Sequence, residues 1–167
     1  VDRAVTAARK AFEGPWSRWT PNERQKLLLR INDLMLEHAE ELATIETMDM
    51  GAPLARTRAT IGWISGLIRF FASCTGAATT STASNSLPGN VMTLNHKAPL
   101  GVVGGIIPWN GPMGGQWWTI GPALATGCTC VLKPAEDASL SILRFADILA
   151  EAGVPDGVVN IVTGYGS

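Results

Sequence analysis

An amide, an ammonium and a carboxylate stand close to the ends of apolar runs in the second half of the sequence. Asn110 follows one apolar, β-branched run, and Lys133 and Glu136 follow the next. Gly164 and Gly166 come after a third. Cations and amides suit phosphate groups, and a carboxylate suits ribose hydroxyls. The set is typical of a nucleotide-binding site, although the glycine fingerprint G-x-G-x-x-G is missing from the first turn.

Strands and helices alternate in this half. The patterns predict three buried strands and two helices, at 102–107, 112–126, 129–132, 140–152 and 158–162. Connections this short imply parallel pairing in a doubly wound sheet. Ligands of such sheets bind beyond the carboxyl ends of the strands, and the candidate residues fall there.

The first half begins with a helix start signal. Thr20, Pro21 and Glu23 are an N-cap residue, a proline at the first helical position and a glutamate two residues later. One long helix is predicted from this signal to Gly51. Its inward stripe comprises Leu27, Ile31, Leu34, Met35, Leu42, Ile45 and Met48.

A further helix, a loop and a short strand complete the first half. The helix is predicted at 53–73, and its inward face comprises Ile61, Ile64, Ile68 and Phe71. Residues 76–90 are rich in Ser, Thr, Ala and Asn and predict a loop, and 91–94 predict a short strand.

Charge and hydropathy support neither nucleic-acid binding nor membrane insertion. The net charge of −1 is unlike the basic balance of a nucleic-acid-binding domain. The longest apolar run, 98–109, is too short to cross a bilayer and contains glycines and prolines. The N-terminus lacks the pattern of a signal peptide, so a cytoplasmic location is the default expectation.

Cysteines and histidines predict no metal site. Cys74, Cys128 and Cys130 form no C-x-x-C pair and no disulfide framework, and we expect them to be small core residues. A reactive thiol is the alternative. His38 is predicted at the surface of the long helix, and His96 has no partner that suggests catalysis.

Several motifs stand in the order and spacing of one enzyme family. They are RKAF at 9–12, ETMDMG at 46–51, PLGVVG at 99–104, IPWN at 107–110, GPALATG at 121–127, VLKPAE at 131–136, EAGVP at 151–155 and GVVNIV at 157–162. With them the sequence resembles the NAD(P)-dependent aldehyde dehydrogenases over essentially its whole length.

The resemblance implies a reaction and the residues that serve it. In the family, a cysteine thiolate attacks the aldehyde, hydride passes to the nicotinamide, and a glutamate-activated water releases the acid. Asn110 matches the asparagine whose amide stabilises the oxyanion. Lys133 and Glu136 match the residues that bind the adenosine ribose, and a carboxylate there favours NAD, with NADP as the alternative. The remaining implied cofactor contacts are Ile106, Ile107, Pro108, Trp109, Pro134, Ala135, Gly164 and Gly166.

Simpler interpretations of three of these residues stay open. Asn110 suits the N-cap of the following helix. Lys133 and Glu136 suit an ordinary solvated ion pair. Trp109 suits the core as well as it suits a cofactor contact.

The resemblance also implies the architecture and the partners. We expect an α/β fold with N-terminal helices and a partial, doubly wound, Rossmann-like cofactor-binding domain in truncated form. Residues 1–75 would be its helical part, 76–100 a connection with a β-hairpin toward the oligomerisation region, and 101–167 a β-α-β-α-β unit. The expected partners are an aldehyde and further copies in a homodimer or homotetramer, without nucleic acid or membrane.

The sequence departs from the family near the substrate tunnel. Thr119 stands where many members have a lysine of a proton relay, and Gly111 stands where phenylalanine is common. Gly114 and Gly115 also remove bulk. We predict a roomier tunnel wall, filled in part by Trp117 and Trp118.

The family's later motifs, including those of its nucleophilic cysteine and its glutamate, have no counterpart in the sequence. We therefore expect that the 167-residue chain alone does not oxidise aldehydes, and that its sheet has an exposed edge. A non-catalytic nucleotide-binding or assembly module and a nonfunctional truncated product are the alternatives.

Overall fold

The structure, a computed structural model, describes residues 1–78, 80–84 and 88–166. Helices dominate its first half: α1 (Asp2–Glu13), a short 3-10 helix (Pro15–Arg18), α2 (Pro21–Glu37), α3 (Ala39–Met50) and α4 (Leu54–Ala78). A hairpin and a β-α-β-α-β unit follow: β1 (Thr82–Ser84), β2 (Thr93–Asn95), β3 (Val102–Ile107), α5 (Pro112–Gly115), α6 (Trp117–Thr126), β4 (Thr129–Pro134), α7 (Leu140–Glu151) and β5 (Val159–Ile161).

The predicted start of α2 is confirmed. The Thr20 Oγ1 atom accepts a hydrogen bond from the Glu23 N–H at 3.3 Å, and the Glu23 carboxylate accepts one from the Thr20 N–H at 2.7 Å. Helix ends leave N–H groups without partners inside the helix, and this reciprocal pair satisfies two such groups.

The prediction of one helix between Thr20 and Gly51 is wrong. The helix breaks at His38, whose backbone has φ −97° and ψ 16°. Neither glycine nor proline marks the break, so the apolar periodicity does not reveal it. His38 is half-buried, and its Nδ1 atom lies 3.0 Å from Oε2 of Glu41.

The inward stripe also ends sooner than predicted. Helix α3 buries Leu42, Ala43 and Glu46, whereas Met48 is 80% exposed. Successive helical residues lie about 100° apart, so Met48 is on the side opposite Glu46. A buried carboxylate thus takes a position that periodicity would assign to an apolar side chain.

Helix α4 confirms its predicted inward face and runs five residues further than the predicted 73, to Ala78. Ile61, Ile64, Ile68 and Phe71 are all buried. By length and composition alone this helix is apolar enough to cross a membrane. Its packing against α2, α3 and α6 is that of a core helix.

The hairpin corrects the predicted loop at 76–90. Helix α4 occupies its first residues, and β1 pairs antiparallel with β2 so that Ala83 is opposite Leu94. Residues 79 and 85–87 of that range lie outside the described residues. The predicted strand at 91–94 begins two residues later, at Thr93.

The parallel sheet is confirmed, with the order β3-β4-β5. The predicted helix at 112–126 is divided at Gln116 into α5 and α6. Strand β4 extends to Pro134, so Lys133 and Pro134 belong to the strand and do not follow it. The prediction that β3 is buried is wrong for one face, because Ile106 is 86% exposed.

Helices contact both faces of this sheet. Helix α1 lies on the face with Thr129, whose hydroxyl donates to the Ala8 carbonyl at 3.1 Å. Helix α6 lies on the other face, where a Cβ at Gly105 would be 2.5 Å from Oγ1 of Thr119. Glycine at this position therefore lets α6 approach the sheet. The buried Trp16 joins the helical half to this unit, since its indole N–H donates to the carbonyls of Gly127 and Cys128, both at 3.0 Å.

Candidate functional site

Two clefts flank the carboxyl end of β3. The helix-side cleft, of about 510 Å³, lies among β3, α3, α4, α5 and α6, and its lining includes Glu46, Arg56, Trp63, Asn110, Trp118 and Thr119. The sheet-side cleft, of about 550 Å³, lies on the opposite face, and its lining includes Val1, Gly104, Val131, Lys133, Gly164 and Gly166. Ile106 borders both clefts. Of the predicted site residues, Ile107, Pro108 and Asn110 line the helix-side cleft, and Lys133, Gly164 and Gly166 line the sheet-side cleft. The linings of both clefts leave out Trp109, Pro134, Ala135 and Glu136.

Asn110 lies in the loop between β3 and α5 and is exposed. Its backbone carbonyl accepts a hydrogen bond from Nη2 of Arg56 at 3.4 Å. The N-cap of α5 is Gly111, so the interpretation of Asn110 as a helix cap is wrong. Among the described residues its side-chain amide has no hydrogen-bond partner, and it is available to a ligand in the helix-side cleft.

Glu46 is buried at the base of the helix-side cleft, with 3% of its surface exposed. Its Oε2 atom accepts a hydrogen bond from the Met113 N–H at 3.1 Å, in the first turn of α5. Burial raises the pKa of its carboxyl, and hydrogen bonds offset only part of that effect. Glu46 is the first residue of the ETMDMG motif, but neither the motif nor the helix pattern assigned it a role; the available signal was a carboxylate within an apolar helix face.

Two tryptophans form one wall of the same cleft. The ring centroids of Trp63 and Trp118 are 6.0 Å apart, and both side chains are exposed. The prediction that Trp117 helps to fill the tunnel is wrong, because its ring is fully buried against Phe145. Trp63 takes that place, and it was missed because it lies outside the inward stripe of α4.

Lys133 and Glu136 bind each other. The Lys133 Nζ atom lies 2.8 Å from Oε2 of Glu136 and also donates to the Pro134 carbonyl at 3.2 Å. The hydrogen bond from Lys133 lowers the pKa of the Glu136 carboxyl. The remaining lone pairs of this carboxylate can accept a hydrogen bond from a ribose hydroxyl without breaking the Lys133–Glu136 ion pair.

The other predicted cofactor residues occupy different positions. Ile107 and Pro108 line the helix-side cleft, and Trp109 is 60% exposed, so its interpretation as a core residue is wrong. Pro134 is buried within β4. Ala135 donates its N–H to the Ile107 carbonyl at 2.9 Å, which joins the ends of β3 and β4.

The cysteines lie outside both clefts. Cys128 and Cys130 are buried, as predicted, whereas Cys74 is half-buried. Burial, with a smaller contribution from Cys128, raises the pKa of the Cys130 thiol to about 12. This thiol is therefore a poor nucleophile at neutral pH. Within residues 1–78, 80–84 and 88–166, no three His, Cys, Asp or Glu residues are grouped as a metal site requires.

The whole chain, residues 1–167, matches the model of the aldehyde dehydrogenase family. The chain belongs to that family. The NADP/NAD-dependent aldehyde dehydrogenase PuuC of Escherichia coli (strain K12) is 42% identical over 99% of this chain and 34% of its own length.

Solved aldehyde dehydrogenases share the fold. An NAD-dependent aldehyde dehydrogenase from Sinorhizobium meliloti superposes with a TM-score of 0.94 at 42% identity, over 99% of this chain and 33% of the other. A point mutant of betaine aldehyde dehydrogenase from Staphylococcus aureus, solved in complex with NAD+, gives 0.93 at 38% identity, over 99% and 34%. The family and the α/β fold predicted from the motifs are thus confirmed. The chain spans about a third of the length of these relatives.

Proposed function

We propose that this chain is the cofactor-binding part of an NAD-dependent aldehyde dehydrogenase, in which Asn110 donates a hydrogen bond to the oxyanion. The observation that carries the proposal is the amide of Asn110, which is exposed at the carboxyl end of β3 beside a cleft and has no hydrogen-bond partner within the part of the chain that the structure describes. In the family reaction, bound NAD+ supplies the hydride acceptor. The side-chain N–H of Asn110 would bind the oxygen that becomes negative when the aldehyde carbonyl is attacked.

The Lys133–Glu136 pair supports the cofactor part of the proposal. The Glu136 carboxylate would accept hydrogen bonds from the ribose hydroxyls, and Lys133 would donate to them while keeping Glu136 in place. A negative carboxylate repels a 2′-phosphate, which favours NAD over NADP. Gly164 and Gly166 border the same sheet-side cleft and leave room for a ligand close to the backbone.

Binding by the 167-residue chain alone tests the cofactor site. Saturation-transfer NMR with NAD+ should show transfer to the adenosine ribose protons, and Glu136→Ala should reduce it. Glu40→Ala removes another exposed, ion-paired carboxylate outside both clefts and serves as the control. Equal transfer in the parent and in Glu136→Ala would contradict the ribose role.

Catalysis requires groups that these 167 residues do not contain, because the family's cysteine and glutamate motifs are missing from them. We expect the chain alone to turn over no aldehyde; a non-catalytic nucleotide-binding or assembly module is the alternative function. In a chimera, this chain would replace the matching third of PuuC. Asn110→Ala should then lower kcat by about 10²–10³. The three-part domain division, the homo-oligomer and the cytoplasmic location stay predictions.

A further inference from the structure

The loop that carries Asn110 is held at its first end by the sheet. The Ile107 carbonyl, at the end of β3, accepts the Ala135 N–H at 2.9 Å. Residues 108–110 are exposed. A loop of this kind gains a fixed conformation from contacts with the elements around it.

Glu46 holds the second end. Its carboxylate accepts the Met113 N–H at 3.1 Å, three residues after Asn110, and both atoms are buried. A buried carboxylate is costly unless hydrogen bonds satisfy it, so a glutamate at this position indicates a specific acceptor role.

A second carboxylate of α3, that of Asp49, makes a comparable hydrogen bond to a helix start outside the cleft. Asp49, one turn further along α3, accepts the Leu140 N–H at 2.8 Å, at the start of α7. Asp49 does not line the helix-side cleft, whereas Glu46 does. Glu46 also faces α7, where the Ser141 hydroxyl lowers the pKa of its carboxyl, but of the two carboxylates it is Glu46 that binds the helix following the Asn110 loop.

Arg56 supports the middle of the loop. Its Nη2 atom donates to the Asn110 carbonyl at 3.4 Å, and the guanidinium lines the same cleft. This contact is long and exposed, so it is weaker than that of Glu46.

We propose that Glu46 is a positioning residue for Asn110, assisted by Arg56: the two side chains fix the start of α5 and the Asn110 carbonyl, and so set the orientation of the Asn110 amide. The catalytic meaning of this orientation rests on the proposed function of Asn110. The contacts themselves do not depend on it.

NMR of the full 167-residue chain tests the proposal through two signals: hydrogen exchange of the Met113 N–H and the resonances of the Asn110 side-chain amide. Glu46→Ala should speed Met113 exchange about tenfold or more, because a hydrogen bond to a charged group is lost, and should shift the Asn110 signals. Glu46→Gln keeps an acceptor oxygen and should restore both. If Glu46→Ala fails to fold, Glu46→Asp, which withdraws the carboxylate by one methylene, should change both signals in the same direction.

Two controls separate positioning from general stabilisation. Asp49→Ala should speed exchange at Leu140 and lower the melting temperature, without moving the Asn110 signals. Arg56→Ala should shift the Asn110 signals while leaving Met113 exchange unchanged. The proposal is overturned if Glu46→Ala leaves the Asn110 signals in place, or if Glu46→Gln behaves like Glu46→Ala. A normal kcat for Asn110→Ala in the chimera would instead refute the proposed function and leave these contacts standing.

Discussion

Trp63 lies directly over Gly114, and its Cζ3 atom is 3.1 Å from the point where a Cβ at residue 114 would be. The absence of a side chain on α5 therefore allows the indole to form a wall of the helix-side cleft. One methyl group at residue 114 would press on the ring and displace it by a few tenths of an ångström.

Gly114→Ala should consequently change the environment of Trp63 while adding little stability. The matched control is Gly62→Ala on α4, where nothing lies within 4 Å of the added Cβ. That control should raise the free energy of unfolding by about 0.5–1 kcal/mol, because alanine is the better helix former. Urea unfolding measures both variants, and tryptophan emission reports the ring. An unchanged emission spectrum in Gly114→Ala would contradict the contact.

Gly111→Phe should narrow the helix-side cleft. A Cβ at Gly111 meets nothing within 4 Å, and its φ of 171° is extended backbone that any residue adopts. A phenyl ring can therefore enter the cleft without strain. In the PuuC chimera, kcat/KM should fall by about tenfold or more for bulky aldehydes, because the ring would exclude one or two methylene groups of the substrate from the cleft. For short aldehydes kcat/KM should change little. Gly111→Ala is the control, and an unaltered chain-length preference would count against the roomy tunnel.

The Lys133–Glu136 pair should control the choice of cofactor. The parent chimera should prefer NAD, and Glu136→Gln should move the ratio of kcat/KM values toward NADP by about tenfold, since one charged hydrogen-bond acceptor is lost. Glu40→Gln should leave the ratio unchanged. A clear NADP preference in the parent would contradict the role of Glu136 in selecting NAD.

Glu46 should make stability depend on pH. Its folded pKa is raised above the ordinary 4.5 by burial, so the folded state holds this proton more tightly than the unfolded chain does. The stability that this group contributes is complete below about pH 4.5 and is lost as the pH rises through the folded pKa. The charged groups that act on it are Asp49 of its own helix, which also raises its pKa, and Arg56 of α4, which lowers it.

Glu46→Gln, which cannot ionise, should therefore gain stability relative to the parent between pH 4 and pH 7. Each unit by which the pKa is raised corresponds to about 1.4 kcal/mol. Thermal unfolding at several pH values measures the difference. Thr44→Ala, on the exposed side of the same helix, removes no ionisable group and should show a flat difference. A flat difference for Glu46→Gln as well would contradict the raised pKa.

Thr20→Ala should destabilise the chain by about 1 kcal/mol, because it removes the oxygen that accepts the Glu23 N–H. Thr44→Ala again serves as the control. Its hydroxyl donates to the Glu40 carbonyl at 2.7 Å within α3, a bond that contributes little to a helix. Equal losses in the two variants would show that Thr20 has no special capping role.

Local chemistry made some of these features predictable. The start of α2 was predictable because threonine, proline and glutamate each have a distinct role in the first helical turn. The three strands were predictable because apolar, β-branched runs alternate with helical patterns. The predicted strand ends marked Asn110, Lys133 and Glu136 as candidates, and the family motifs then implied their roles.

Other features depend on contacts between distant segments. The break at His38 has no local signal, and Trp63 gains its role only when α4 crosses α5. Glu46 can be buried because its carboxylate is hydrogen-bonded to the Met113 N–H, which lies 67 residues away in the sequence. Ile107 and Lys133 line different clefts because they lie on opposite faces of the sheet, and periodicity alone does not say which helix covers which face.

The order β3-β4-β5 has a consequence for synthesis. Among the described residues, β4 pairs with β3 and β5 pairs with β4, so neither β4 nor β5 has to be inserted between two strands that are already paired. Helix α1 and Trp16, which supply distant contacts to this sheet, leave the ribosome before any of its strands. The growing chain can therefore add β4 and then β5 at the same side of β3 while α1 is already available to cover them, which shortens the time that these strands are open to aggregation.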